Sequence, residues 1–178
     1  AGGGTAIIAD SRTGEILAMA SYPSYNLNEP RVNPVGYEAS EWDGYSVEAT
    51  ELLSKTRWRN ESLSMTYEPG STFKAVVAAM ALEMGIVGLD DIVDDYPVEV
   101  QEHTIYCLSK KYPHGEETFR EAIYNSCNPV FVKVAQDIGI DRFYEYVDLF
   151  GFMDKTGIEI PGEENSLFHA EPMEIDMA

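Results

Sequence analysis

Two side chains three positions apart, Ser71 and Lys74, could together perform acyl transfer. They lie in Glu68-Pro69-Gly70-Ser71-Thr72-Phe73-Lys74, where a Pro-Gly loop meets an apolar segment. The pattern predicts a helix from Ser71 to Met84. Residues i and i+3 share a helix face, so the Lys74 amine is expected to reach the Ser71 oxygen. The first N–H groups of a helix lack internal partners and carry partial positive charge, which favours negative charge developing there. A serine beside a base at such a place suits nucleophilic acyl transfer. The same four residues also read as an N-cap serine followed by a surface lysine, and only the surroundings decide between the two.

A second polar pair, Ser126 and Asn128, sits at a predicted break between helices. A hydroxyl and an amide there could relay a proton and hold a substrate amide. Alone, Ser126-Cys127-Asn128 reads better as a capping turn before Pro129. The elements that must position both pairs are legible in outline. Thr5 to Ala9 and Glu15 to Ser21 predict a β-hairpin around the turn Asp10-Ser11-Arg12-Thr13-Gly14. Residues 22–67 form a long, poorly periodic region broken by Pro23, Pro30 and Pro34, with a short helix over Glu48 to Ser54. Residues 68–85 hold the Ser71 helix; it lacks a polar face and is expected to be buried all round, with Gly85 as its stop. Residues 86–165 read as a mainly helical lobe. Pro97 to Val100 and Thr104 to Cys107 are short strand pieces. Thr118 and Glu121 form a capping box opening a helix to about Tyr124. Pro129 opens a second helix to Ile138, ended by Gly139, and Asp141 caps a third to Phe150, ended by Gly151. Residues 166–178 are a tail.

The chain has 178 residues with 12 Lys+Arg against 31 Asp+Glu, a formal net charge of −19. That balance argues against nucleic acid and anionic membrane surfaces as partners. No apolar run approaches the ~20 residues that span a bilayer. The first residue is Ala1 and no signal peptide precedes it, which reads as a processed or excised piece. His103, His114 and His169 stand in polar contexts without metal-ligand spacing, so all three are expected at the surface. Cys107 and Cys127 are either two semi-buried thiols or a disulfide, and sequence does not set their separation.

Taken in order, Ser71-x-x-Lys74 and Ser126-x-Asn128 match the first two motifs of penicillin-binding proteins and class A β-lactamases, whose third is Lys-Thr-Gly. Tyr67-Glu68-Pro69-Gly70-Ser71-Thr72-Phe73-Lys74 resembles the nucleophile segment of class B penicillin-binding proteins, the monofunctional peptidoglycan transpeptidases. The opening hairpin through Tyr22-Pro23, Trp58-Arg59-Asn60, Asn125 to Pro129, and Thr156-Gly157-Ile158-Glu159-Ile160-Pro161-Gly162-Glu163 are similar to further family segments. The chain is identified as resembling the division and sporulation type. Lys155-Thr156-Gly157 follows Asn128 too soon to be the third motif and is read as a decoy. The resemblance then implies an α+β transpeptidase fold present in its N-terminal part, 1–178, with the C-terminal strands missing.

What the resemblance implies about function is specific. Ser71 would attack the D-Ala-D-Ala end of a peptidoglycan stem peptide, Lys74 would act as base if neutral, Ser126 would relay a proton and Asn128 would hold the substrate. No metal or organic cofactor is implied. β-Lactams would acylate Ser71, and division or sporulation proteins are implied partners. The parent protein would sit on the extracytoplasmic face of a bacterial plasma membrane, anchored by an N-terminal helix that is not in this chain. A β-lactamase or β-lactam sensor, with Glu68 as the acid nearest the nucleophile, and a non-catalytic scaffold are the alternative readings.

Overall fold

The computed structural model describes residues 3–34, 36–109 and 113–168. His169 and most of the predicted tail therefore lie outside the described residues. The chain divides into two compact units, one of residues 1–66 with 157–164 and one of residues 67–156 with 165–178.

The first unit opens with the expected hairpin. Strands β1 (Gly4–Ala9) and β2 (Ile16–Tyr22) pair antiparallel, with Gly4 opposite Tyr22 and Ile8 opposite Ala18. Asp10 shapes the turn by accepting from the Arg12 backbone N–H at 2.9 Å and from its guanidinium. Ile7, Ile8, Ile16 and Leu17 remain exposed, whereas Met19 and Ser21 of β2 are half-buried. The long region after it is more ordered than its composition suggests. Helix α1 spans Val47–Thr56, with Ser46 accepting from the Ala49 N–H, and the short α2 spans Glu61–Ser64. The sequence predicts the first of these and misses the second. Helix α2 is capped by Asn60, whose side-chain Oδ1 accepts from the Ser62 N–H. Two tryptophans fasten the loop: the Trp42 indole donates to the Arg31 carbonyl and the Trp58 indole to the Pro30 carbonyl.

The second unit holds the core. Helix α3 spans Lys74–Glu83, preceded by a 3-10 turn over Gly70–Thr72. Ser71 therefore lies in the turn rather than at the first α-helical residue, a correction to the sequence expectation. The Pro69-Gly70 bend leaves Gly70 at φ +55°, and the chain reaches α-helical pairing only after Phe73. A second correction concerns burial. Val77, Ala78, Met80 and Ala81 are buried, but Ala75, Ala79 and Leu82 are exposed. A helix apolar on every side carries no pattern that marks which side is covered.

Short strands follow: β3 (Ile92–Asp94), β4 (Val98–Val100), β5 (His103–Ile105) and β6 (Glu116–Thr118). β3 pairs with β6 and β4 with β5, both antiparallel. Helix α4 (Phe119–Asn125) begins at the predicted capping box: Thr118 Oγ1 accepts from the Glu121 N–H, and the Glu121 carboxylate accepts from the Thr118 N–H. Helix α5 (Asn128–Ile138) carries Pro129 in its first turn, and α6 is Ile140–Leu149. Gly139, not Asp141, separates these last two helices. Its φ of +77° is a conformation that costs glycine little, and Asp141 falls inside the first turn of α6 without capping it.

Helices α3, α4, α5 and α6 bury one cluster that includes Met80, Phe119, Val130, Phe131, Ala135, Phe143 and Val147. Phe119 is fully buried and its ring lies 5.8 Å from that of Phe131. Phe119→Ala is expected to destabilise this unit by about 3–5 kcal/mol, the usual cost of emptying a buried phenylalanine site. Denaturant unfolding of the variant beside the parent checks it.

Candidate active site

Lys74 is the hub of the site. As the first residue of α3, it extends from the core edge toward the α4–α5 break. Phe73, beside it, is wedged against Phe143 and Phe152, with ring centroids 6.2 and 5.4 Å away. That wedge fixes the direction in which both Ser71 and Lys74 leave the backbone. The Lys74 ammonium donates to the Ser126 carbonyl at 2.7 Å, to Ser126 Oγ at 3.1 Å and to Asn128 Oδ1. Its Nζ also stands 5.5 Å from the centre of the Phe131 ring. The two polar pairs singled out in the sequence thus meet in space although 52 residues separate Lys74 from Ser126.

Ser71 is exposed, in the turn that leads directly into Lys74. Among the described residues no hydrogen bond joins its hydroxyl to Lys74. The i,i+3 hydrogen bond expected from a shared helix face is not made, because the Lys74 amine is engaged elsewhere. Lys74 points instead to the partners contributed by the α4–α5 break.

That break has a strained centre. Ser126 ends α4 in the left-handed conformation, φ +52° and ψ +46°. For a residue other than glycine this costs of order 1–3 kcal/mol and persists where the surroundings enforce it, most often at functional sites. Here the Cys127 N–H donates to the Ala122 carbonyl, Cys127 is buried, and Pro129 starts α5 at once. The reversal turns the Ser126 carbonyl and hydroxyl to the same cation that Asn128 binds from the first turn of α5.

Burial holds the Lys74 amine below its ordinary pKa, while the thiols Cys127 and Cys107 act in the opposite direction. The three oxygen acceptors favour the protonated form as well. Lys74 is thus poised between two demands: partial desolvation that eases loss of its proton, and a cradle that receives the ammonium once formed.

Lys155-Thr156-Gly157 lies in irregular chain and not on a strand.

Behind the Ser126–Asn128 turn the structure gathers residues that the sequence did not connect. Asp95, Cys107, His114 and Cys127 place a carboxylate oxygen, two sulfurs and a ring nitrogen all within 4.8 Å of one another. Both cysteines are buried free thiols. His114 was expected as an isolated surface residue; its side chain is 27% exposed and its Nδ1 faces this cluster. The pairing of β3 with β6 accounts for the correction, since it brings the residue after β3 beside the residues before β6. The only local sign was the pair of cysteines themselves.

The chain matches a family model described as the penicillin binding protein transpeptidase domain, over residues 4–178. It belongs to that family, and the class B resemblance and α+β transpeptidase fold expected from the sequence stand. Among curated relatives it is 35% identical over 160 residues to stage V sporulation protein D of Bacillus subtilis, covering 89% of this chain and 22% of that protein. It is 33% identical over 168 residues to the peptidoglycan D,D-transpeptidase MrdA of Acinetobacter baumannii, covering 93% of this chain and 24% of that one. The chain thus spans about a quarter of the length of these relatives. Among solved structures, Pseudomonas aeruginosa PBP2 in complex with WCK 5153 superposes with a TM-score of 0.73 at 29% identity, over 94% of this chain and 36% of that one. The D,D-transpeptidase domain of a peptidoglycan glycosyltransferase from Eggerthella lenta gives 0.74 at 26% identity, over 98% and 38%.

Proposed function

We propose that this chain is the nucleophile-bearing part of a serine D,D-transpeptidase that cross-links peptidoglycan stem peptides, working at the outer face of a bacterial plasma membrane. The observation that carries this reading is the Lys74 amine, bonded to Ser126 and Asn128 and held one turn from an exposed Ser71 in a chain of this family.

Ser71 Oγ attacks the carbonyl carbon of the penultimate D-alanine. Its proton passes to the neutral Lys74 amine, which turns from the α4–α5 break toward Ser71 to receive it. The resulting ammonium finds three acceptors in Ser126 and Asn128, so the protein stabilises charge that appears only as the reaction proceeds. As the tetrahedral species collapses, the C–N bond to the terminal D-alanine breaks. The leaving nitrogen takes a proton from the Ser126 hydroxyl, which Lys74 replenishes. An ester on Ser71 remains, and an amine from a second stem peptide displaces it to form the cross-link. Asn128 aligns the donor peptide by its side-chain amide. A β-lactam follows the first half of the same route, opening its ring amide onto Ser71.

A transpeptidase and a β-lactamase diverge at the ester, since only the second hydrolyses it quickly. The full-length protein is expected to hold a chromogenic cephalosporin as a lasting adduct, with one burst of colour per enzyme molecule. Sustained colour release over many turnovers would assign hydrolysis instead. No colour at all would remove acyl transfer as the function. The similarity to a relative named for sporulation supports a role in sporulation or division, beside proteins of those processes, as part of the same proposal.

A further inference from the structure

We propose that Phe131 is a positioning residue of the acyl-transfer site, whose ring face stabilises the Lys74 ammonium as it forms without competing for its proton. The inference rests on the reading of Lys74 as the base for Ser71.

Helix α5 sets the ring in place. Asn128 and Phe131 are three positions apart in its first turns and so share a face of it. That face meets Lys74. Asn128 Oδ1 accepts from the amine, and Lys74 Nζ lies over the Phe131 ring, 5.5 Å from its centre. A cation within about 6 Å of an aromatic centroid is attracted by the negative face of the ring, and more strongly where water is excluded. Phe131 is 5% exposed. Its ring is seated in the core against that of the fully buried Phe119, with centroids 5.8 Å apart and planes at 44°. The face turned to Lys74 is therefore fixed before any reaction begins.

The ring supplies what other side chains in its place would not. An ammonium has three N–H donors, and the Ser126 carbonyl, Ser126 Oγ and Asn128 Oδ1 are three acceptors for them. An aromatic face adds attraction without needing a further N–H. A carboxylate there would favour the charged amine so strongly that no base remained. A leucine would exclude water as well as the ring does but would offer nothing to the charge. Phe131 does both: it keeps water from the amine, and it presents a fixed electrostatic face that needs no rearrangement when the proton arrives. After burial, the groups that act on the amine are the thiols of Cys127, at the start of α5, and Cys107, after β5. Among the described residues no carboxylate pairs with it.

The test is to weaken the ring face while nearly keeping its shape. In the full-length protein, Phe131 is replaced by phenylalanine carrying one, two and three ring fluorines, and benzylpenicillin acylation is followed against pH. A poorer ring face stabilises the ammonium less, so the rising limb of the profile is expected to move to lower pH. The plateau above the limb is expected to fall stepwise with each fluorine, by about 10-fold in all, because the proton is received by a weaker base. Phe131→Leu should show the same pair of changes. Because that variant empties part of the core and could fail to fold, the fluorinated proteins carry the decision, with thermal melting beside the parent as the control for structure. A limb and plateau untouched by three fluorines would overturn the proposal. So would a loss that is uniform at every pH with the limb unmoved, which is the signature of packing alone. Both of those outcomes leave the penicillin adduct in place, so the transpeptidase reading survives them. Absence of an adduct in the unsubstituted protein would remove that reading, and the role of Phe131 with it.

Discussion

Ser71→Ala in the full-length protein is expected to abolish covalent capture of benzylpenicillin while leaving the fold unchanged. The loss should be at least about 10³-fold in acylation rate, since removing a nucleophile leaves only binding and polarisation of the carbonyl. The structural control is favourable. Ser71 is exposed, sits in a 3-10 turn, and its hydroxyl makes no hydrogen bond among the described residues. The turn is closed instead by Thr72 Oγ1, which donates to the Pro69 carbonyl at 2.6 Å. A surface change of this kind shifts stability by about 0.5 kcal/mol or less. Thermal melting of the variant beside the parent separates lost chemistry from lost structure. If the alanine variant acylates at the parent rate, another residue is the nucleophile.

Lys74 should matter almost as much, and in a way that depends on pH. Lys74→Ala is expected to slow acylation by about 10²–10⁴-fold, the usual contribution of a positioned base. Burial lowers the Lys74 pKa, so the neutral amine becomes available at a lower pH than for an ordinary lysine. The sign follows directly: the acylation rate should rise with pH through a limb that lies below the normal lysine range, and that limb should vanish in the variant. Lys74→Arg sharpens the test. A guanidinium keeps the charge and can still donate to Ser126 and Asn128, but it does not give up its proton in a protein. A near-parental rate in the arginine variant would mean that the cation serves only to hold the turn. A rate as low as that of the alanine variant assigns the proton transfer.

How far the sequence anticipated this structure depended on the distance over which each signal acts. The Thr118–Glu121 capping box was legible because both partners lie within one turn, and the structure closes both of its hydrogen bonds. Pro129 and Gly139 marked helix ends for equally local reasons. The start of α3 was misplaced by three residues, since Ser-Thr-Phe-Lys does not reveal whether its first turn is 3-10 or α. The exposed Ala75–Ala79–Leu82 side of α3 was invisible, because a uniformly apolar helix has no pattern to read. Helix α2 was hidden by its shortness.

The site shows the same division. Ser71, Lys74, Ser126 and Asn128 could be named from two short motifs, and three of the four meet around one amine. That Lys74 bonds to Ser126 and Asn128, not to Ser71, could not be read, because it depends on how α3 packs against α5. The Asp95–Cys107–His114–Cys127 cluster was missed altogether. Its members lie at positions 95, 107, 114 and 127 with irregular gaps, and only the pairing of β3 with β6 and the packing of α4 and α5 bring them together.

The measurement that bears most directly on the central claim is the location of the penicillin adduct. Full-length protein is incubated with benzylpenicillin, its intact mass is read, and the digested protein is mapped by tandem mass spectrometry. One added penicillin per chain on Ser71, absent from Ser71→Ala, is the predicted result. An adduct on any other residue, or one that persists in the alanine variant, would contradict it.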